Sequence, residues 1–267
     1  MAEAVIYNDQ NKLSTTNLKP QGVVPKGPKF NRFYGKHDVL DGEYRLSQKI
    51  LAELLGTMLF VYGVCANCVF NPGYSIVCSG FMGGVIIYIF GRISGAHFNP
   101  AVSLALFLRH KLSAMELGLY IIAQIVGGFI GAVLVGLCRR GKYKTLGANA
   151  VVFDESDKDG WYYMSPFLFE IFGTFILIMF ILASCERDNY LGPTLGFAFS
   201  ITLVAISGIG GMVSGCSLNP ARSFGPALLQ VMAGGSSLPM KHIWIYIVGP
   251  LLGAVIAAFL WPIFIYQ

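Results

Sequence analysis

The 267-residue sequence is poor in charge, because Asp, Glu, Lys and Arg together make up only 12% of it. A soluble globular domain carries about 25% charged residues, so the polar surface that a soluble protein needs is largely missing. Hydrophobic residues instead reach 55%, and the mean hydropathy is +0.62. The composition therefore excludes a soluble domain and indicates an integral membrane protein.

Other absences exclude further classes of function. The net charge of +5 is too small to indicate a nucleic-acid partner, and basic segments facing anionic lipid account for it. The sequence shows no nucleophile paired with a base, no phosphate-cradling glycine loop and no metal-ligand cluster. We therefore expect neither an enzyme nor a bound cofactor or metal. Residues 1–46 contain no long apolar run, so we expect no cleaved signal peptide.

Long apolar segments dominate the rest of the chain. Six of them approach the roughly 20 residues that cross a bilayer about 30 Å thick. They lie at about 48–69, 75–93, 115–138, 163–184, 193–212 and 242–266. Two further apolar stretches, at about 99–108 and 219–230, are too short to span. Each begins with Asn-Pro, and because Asn caps helices and Pro fits their first turn, each predicts a half-length helix.

The triplet Asn-Pro-Ala occurs twice at membrane depth, as Asn99-Pro100-Ala101 and Asn219-Pro220-Ala221. Non-helical backbone at that depth survives only where it lines a cavity or is packed in protein. We therefore expect the loops before the two triplets to line a pore. Arg222 follows the second triplet, and an ionisable residue inside a membrane indicates a functional site.

The triplets belong to a wider internal repeat. Glu53 and Glu170 open equivalent spans, and each is followed by Gly-Thr at the same spacing. Three spans and a half-helix make an odd number of crossings, so the two copies are inverted and their half-helices meet near the midplane. We expect both glutamates to be structural, accepting hydrogen bonds from loop backbone donors.

The repeat also sets the domain limits and the topology. An N-terminal tail, residues 1–46, precedes a channel domain, residues 47–267, with repeat 1 at about 47–138 and repeat 2 at about 163–267. Basic residues concentrate in the tail, which predicts cytoplasmic termini in a multi-pass protein of the plasma membrane or an intracellular vesicle membrane. The basic run 139–144 falls on the opposite side and is the exception.

The segments 94–102 and 215–225 resemble the two pore loops of the aquaporins, or major intrinsic proteins. The resemblance covers about residues 47–267. It implies an all-α membrane protein with six transmembrane helices and two re-entrant half-helices, one water-conducting pore per subunit, and a homotetramer in the lipid bilayer. It also places His97 on the pore, in its cytoplasmic half.

A physical mechanism for such a pore follows from the two triplets. Each half-helix presents about half a positive charge at its N-terminus, so cations and migrating protons meet a barrier where the two ends face each other. The amides of Asn99 and Asn219 would donate hydrogen bonds to a passing water and orient it against proton transfer. Carbonyls of the preceding loops would supply the acceptors. We therefore predict a passive water channel that excludes protons and ions.

In the family, four positions form the narrowest point, and the resemblance places them at Ser79, Ser207, Cys216 and Arg222. Relatives that pass only water have bulky rings at the first two, so the serines predict a wider and more polar constriction. This interpretation fails if Phe81 turns into the pore in place of Ser79. Urea, glycerol and ammonia are the additional solutes that this filter leaves open.

Several alternatives remain at this point. An aquaglyceroporin-type solute channel, a secondary transporter and a closed pore with a structural membrane role are each compatible with an inverted repeat. The tail, or the loop at 186–190, is a candidate cytoplasmic gate, and an inert tail fits its composition equally well. Cys65 and Cys68 have the spacing of a redox or zinc pair, but without a second pair nearby the sequence favours simple packing.

Overall fold

The computed structural model describes residues 44–151, 161–186 and 194–265. These residues form helices and connecting turns, and no strand occurs among them. The tail up to residue 43 and the loop residues 187–190 lie outside the described residues. The two gating hypotheses, which concern those segments, therefore stay predictions.

The helices, numbered in chain order, match the predicted segments closely. They are Leu46–Phe70 (α1), Ser75–Ser94 (α2, after a 3-10 turn at Pro72–Tyr74), Pro100–Leu108 (α3), Ala114–Cys138 (α4), Trp161–Glu186 (α5), Leu195–Gly210 (α6), Pro220–Met232 (α7), Leu238–Lys241 (α8), Ile243–Leu260 (α9) and Pro262–Ile265 (α10). Five membrane-length apolar stretches are present among the described residues, on α1, α2, α4, α5 and α9 with α10. The apolar helix α6 is shorter, with 16 residues. The predicted fold class is confirmed.

The half-helices α3 and α7 begin where the two triplets predict. Asn99 Oδ1 accepts the Ala101 N–H at 2.9 Å, and Asn219 Oδ1 accepts the Ala221 N–H at 3.0 Å. Proline follows each asparagine as the first helical residue, where its missing N–H costs nothing. The two triplets are therefore helix starts in the interior of the protein.

The helices pair in the same way in both repeats, since α1 packs on α4 and α5 packs on α9. An ion pair of 3.0 Å between Lys49 and Glu116 joins the first turns of α1 and α4. Both helices therefore start at the same face of the molecule. Following the crossings from there places Leu46 and Ile265 on that face as well.

Glycines allow the close approach of these paired helices. A Cβ added to Gly127 of α4 would lie 2.4 Å from the Leu54 carbonyl oxygen of α1. On the same helix, a Cβ added to Gly118 would meet nothing within 4 Å. The two glycines thus differ in packing but not in secondary structure.

We expect Gly127→Ala to lower the free energy of unfolding by about 1–3 kcal/mol, because the added methyl group would overlap the backbone of α1 at Leu54 and force the two helices apart. Gly118→Ala should be neutral or raise it by about 0.5–1 kcal/mol through helix propensity. Thermal unfolding of the detergent-solubilised variants measures both. Equal midpoints for the two would show that the α1–α4 contact is not close-packed.

Candidate functional site

The two half-helices meet at the centre of the protein through their asparagines. Asn99 donates its Nδ2 to the Leu218 carbonyl at 2.8 Å, and Asn219 donates its Nδ2 to the Phe98 carbonyl at 2.9 Å. Both asparagines are buried. Each repeat therefore hydrogen-bonds to the pore loop of the other repeat.

The helix caps fix the orientation of both amides. Because each Oδ1 accepts the N–H groups of its own half-helix, each NH₂ group must point away from that helix. A side-chain amide has two N–H donors, and the contact with the opposite loop uses one of them. One donor on each asparagine is left for a molecule in the space between the half-helices.

The loops before the half-helices have an uncommon backbone conformation. Ala96 and Phe98 have φ values of 53° and 49°, and Cys216 and Leu218 have 48° and 55°. A side chain in this left-handed region costs on the order of 1–2 kcal/mol per residue. The surrounding structure must therefore hold both loops in place.

Glu53 holds the first loop. One of its carboxylate oxygens accepts hydrogen bonds from the Ser94 hydroxyl at 2.6 Å and from the His97 N–H at 3.0 Å. The other accepts from the Phe98 N–H at 2.7 Å and from the Gln124 side chain at 2.8 Å. This fully buried carboxylate fixes two consecutive backbone amides of the loop.

Glu170 has the corresponding loop contacts in the second repeat, without a counterpart of the Gln124 bond among the described residues. It accepts the Ser214 hydroxyl at 2.6 Å, the Ser217 N–H at 2.9 Å and the Leu218 N–H at 2.7 Å. Glu170 is also fully buried. The two carboxylates are therefore equivalent supports of the two loops.

Two tyrosines, which the sequence did not reveal, complete these supports. Tyr120 of α4 donates its hydroxyl to the Ser94 carbonyl at 2.9 Å, and Tyr246 of α9 donates to the Ser214 carbonyl at 2.8 Å. They are among the largest fully buried side chains of the described chain. A tyrosine in an apolar segment gives no sequence signal of its own, and only the repeat symmetry connects these two.

A cavity lies beside the asparagines. His97, Asn99 and Asn219 line it together with apolar side chains from α1, α2, α5 and α6. The Nδ1 atom of His97 is 3.0 Å from the Ser103 hydroxyl oxygen, and its ring packs edge-on against Tyr120. His97 thus borders this cavity, and its predicted place in the cytoplasmic half of the pore stays a prediction.

Arg222 lies at the first turn of α7 and is buried. Its Nη1 donates to the Gly147 carbonyl at 3.0 Å. Its Nε has no hydrogen-bond partner among the residues that the structure describes. A buried donor without a partner costs about 1–3 kcal/mol, so this guanidinium has hydrogen-bonding capacity left for a ligand.

The structure brings together part of the predicted filter. Cys216 lies close enough to both Ser207 and Arg222 to interact with them electrostatically. Ser79 is buried on α2, which packs on the helix that carries Ser207. Phe81 is 45% exposed, and its ring centroid lies 6.2 Å from that of Phe197. Its ring therefore lies on the outer surface. The role of all four positions in selectivity remains a prediction.

The segment after α4 also reaches the site, which no pattern in the sequence indicated. Asn149 accepts a hydrogen bond from the Ser223 hydroxyl at 2.9 Å and donates to the Gly215 carbonyl at 3.0 Å. Gly147, two residues earlier, supplies the acceptor for Arg222. This connecting segment therefore fixes both the second pore loop and the arginine.

The same segment is attached to His242 at its far end. The Val151 N–H donates to His242 Nδ1 at 3.2 Å. Burial beside Tyr162 and Tyr163, together with the charge of Lys241, lowers the pKa of His242 below its ordinary value. At neutral pH the ring is therefore uncharged and its Nδ1 accepts this bond.

Acid should weaken this attachment. Because the pKa is lowered in the folded state, the stability contributed by the neutral ring is present above about pH 6.5 and is lost as the pH falls through the folded value. We expect the native protein to lose more thermal stability between pH 7 and pH 5 than His242→Gln, which cannot titrate. Parallel pH dependence in the two proteins would contradict the assignment.

Among the described residues, no group of three or more His, Cys, Asp or Glu side chains is arranged to hold a metal ion. The polar groups described at the site are amide donors, loop carbonyls and one guanidinium.

Comparison with known proteins connects this geometry to a family. Residues 42–261 match the model of the family described as Major intrinsic protein. The chain is 36% identical over 216 residues to the Glycerol uptake facilitator protein-like 6 of Lactiplantibacillus plantarum, which covers 79% of this chain and 95% of the relative. It is 33% identical over 226 residues to Nodulin-26 of Glycine max, with coverages of 81% and 77%.

A solved structure has the same architecture. The aquaglyceroporin from Plasmodium falciparum matches with a TM-score of 0.71 at 22% sequence identity, over 83% of this chain and 98% of that chain. At this identity the likeness is one of fold.

Proposed function

Because the chain belongs to the major intrinsic protein family, we propose that its facing half-helices form a passive pore which conducts water and small neutral solutes and excludes protons and ions. The family consists of membrane channels and not of enzymes. The observation that carries the proposal is the pair of buried asparagines, each with one N–H free toward the space between the half-helices.

Proton exclusion follows from the one-sided chemistry of this centre. Both Asn99 and Asn219 use their oxygen atoms within the protein, so they offer only donors to the pore. A water molecule there accepts at its oxygen and directs both hydrogens outward, which interrupts the chain of like-oriented waters that proton hopping requires. The positive ends of α3 and α7 add an electrostatic barrier to cations.

Solute selectivity is assigned to the end of the pore that contains Arg222. The small side chains of Ser79 and Ser207, and the outward position of Phe81, support a constriction that admits more than water. The relative from Lactiplantibacillus plantarum is named a glycerol uptake facilitator. We therefore include glycerol and urea among the solutes, and an aquaglyceroporin-type channel is the second candidate function.

The topology and assembly belong to the same proposal. Leu46 and Ile265 lie on one face, which the excess of basic residues before α1 assigns to the cytoplasm. Helix faces of α1, α2 and α5 expose large apolar side chains, as contact with lipid or with other subunits of a homotetramer requires. The tail and the loop at 186–190 are then on the cytoplasmic side, where either would act as a gate.

Stopped-flow light scattering of proteoliposomes tests the proposal. We expect water, glycerol and urea permeabilities above those of empty liposomes. Ser207→His, which adds a ring at the proposed constriction, should lower glycerol permeability by about tenfold or more, as expected for lost pocket volume, and should lower water permeability much less.

Two results would contradict these expectations. Water flux without glycerol or urea flux in the native protein would overturn the wide filter. Absence of any flux in a protein that elutes as a folded tetramer would favour a closed pore with a structural role. Removal of residues 1–40 tests gating separately, because it should change the permeability if the tail is a gate and leave it unchanged if the tail is inert.

A further inference from the structure

Two thiols lie against the guanidinium of Arg222 on the side of α1. Cys65 Sγ is 4.0 Å from Nη1, and Cys68 Sγ is 4.0 Å from Nη2. Cys65 is buried and Cys68 is partly exposed, and both are free thiols. The proposed function assigns no role to this pair.

We propose that Cys65 and Cys68 are a redox-active dithiol which a peroxide converts to a disulfide, and that this disulfide weakens the contacts that restrain Arg222 and lowers conduction. The effect on conduction rests on the proposed channel function. The formation of the disulfide does not rest on it.

The backbone geometry permits the bridge. Residues three apart on an α-helix have Cα atoms about 5 Å apart, which is within the range of about 4.4–6.8 Å that disulfides require. Both cysteines lie in the last two turns of α1, which ends at Phe70. A helix end can adjust its backbone more easily than a helix centre, because its last carbonyls have no partner within the helix.

The surroundings favour reaction at Cys68 first. Reactive cysteines lie in electropositive and partly exposed places, and Cys68 is both partly exposed and adjacent to a guanidinium. The Cys68 sulfur attacks the O–O bond of hydrogen peroxide, takes one oxygen as a sulfenic acid, and one water leaves. The Cys65 thiol then displaces the sulfenic hydroxyl as a second water, so both sulfurs are oxidised and the peroxide is reduced.

The bridge would remove contacts that restrain Arg222. In the reduced protein, Cys65 donates its thiol to the Gly147 carbonyl at 3.8 Å, and Arg222 donates to the same oxygen at 3.0 Å. Disulfide formation consumes this thiol hydrogen and draws the Cys68 sulfur to about 2 Å from the Cys65 sulfur. Nη2 then loses its sulfur contact, and Nε already has no partner among the described residues. The guanidinium is then held through Nη1, chiefly by the Gly147 carbonyl at 3.0 Å and more weakly by the Cys65 sulfur at 4.0 Å.

The connecting segment transmits the change because it packs directly on the thiols. A Cβ on Gly147 would lie 3.0 Å from Cys68 Cβ, so this glycine rests against the pair. Movement of Cys68 therefore shifts the acceptor that Arg222 keeps. A guanidinium with fewer contacts at the wall turns toward the solutes at the constriction and obstructs them.

The test uses the full-length protein in proteoliposomes, treated with hydrogen peroxide and then with dithiothreitol. Peptide mass mapping should show a bridge between Cys65 and Cys68, with the loss of two hydrogen atoms. Water permeability should fall several-fold in the oxidised protein and recover on reduction. Cys65→Ser and Cys68→Ser should each abolish both responses, whereas Cys138→Ser, which removes an exposed thiol elsewhere, should keep them.

Any result that differs from these expectations contradicts a specific part of the proposal. Absence of the bridge under peroxide overturns the dithiol, and a bridge that leaves the permeability unchanged overturns its control of Arg222. A peroxide response that survives in both Cys65→Ser and Cys68→Ser assigns the oxidation to another site. If the reduced protein shows no flux at all, the proposed function fails, while the mass mapping still decides whether the dithiol forms a bridge.

Discussion

Glu53→Ala should prevent the protein from reaching a stable folded state. The substitution leaves four buried donors without their acceptor: the Ser94 hydroxyl, two loop N–H groups and the Gln124 amide. Each such donor costs about 1–3 kcal/mol. The total cost of the four is of the same order as the free energy of unfolding of a typical protein, about 5–15 kcal/mol. Size-exclusion chromatography and thermal unfolding in detergent measure the loss.

The chain provides a matched control for this experiment. Glu116→Ala also removes a carboxylate, but one that is partly exposed and bound to Lys49 and to the cap of α4. Exposed ion pairs and caps are each worth about 1 kcal/mol, so this variant should unfold at a slightly lower temperature and remain assembled. If Glu53→Ala were as stable as Glu116→Ala, the left-handed loop would not depend on its carboxylate.

Arg222→Ala should allow protons and small cations to leak through the pore. A positive charge 4 Å from a passing cation contributes a barrier of about 4 kcal/mol at an effective dielectric constant of about 20. Its removal therefore raises the leak by up to about a thousandfold. Proteoliposomes with a pH-sensitive dye inside, subjected to a pH step and a potassium gradient, report the proton flux directly.

Two further variants separate charge from shape in this result. Arg222→Lys keeps the positive charge without the planar fork, so the leak should stay low even if solute permeability changes. Arg140→Ala removes an exposed arginine outside the site and should leave the leak unchanged. If the Arg222→Ala variant shows no increase in proton leak, proton exclusion is due to the asparagines and the helix ends alone.

The sequence was informative where a residue type has few physical alternatives. Asn-Pro within apolar sequence predicts both half-helix starts, because Asn caps helices and Pro fits their first turn. Glu53 and Glu170 were recognisable because a carboxylate at membrane depth needs partners. The repeat then related one half of the fold to the other.

The residues that the sequence did not reveal are those whose role depends on a long-range contact. Asn149 stands in a polar segment between spans, where any asparagine is ordinary, and only its bonds to Gly215 and Ser223 identify it. Taken alone, the sequence favours simple packing for Cys65 and Cys68, which have no second pair nearby. Their position beside Arg222 arises from the approach of α7 to α1, which no local pattern records.

The exchange of hydrogen bonds between Asn99 and Asn219 bears on how the protein is made. Each asparagine donates to a carbonyl of the other repeat, so the first pore loop, although held by Glu53, lacks this hydrogen bond until the second half of the chain has been synthesised and inserted. During synthesis, the N-terminal half therefore resides in the membrane before its re-entrant loop has formed the hydrogen bonds to the second repeat. The centre of the pore is consequently the last part to be completed, and two halves expressed as separate chains should acquire it only on association.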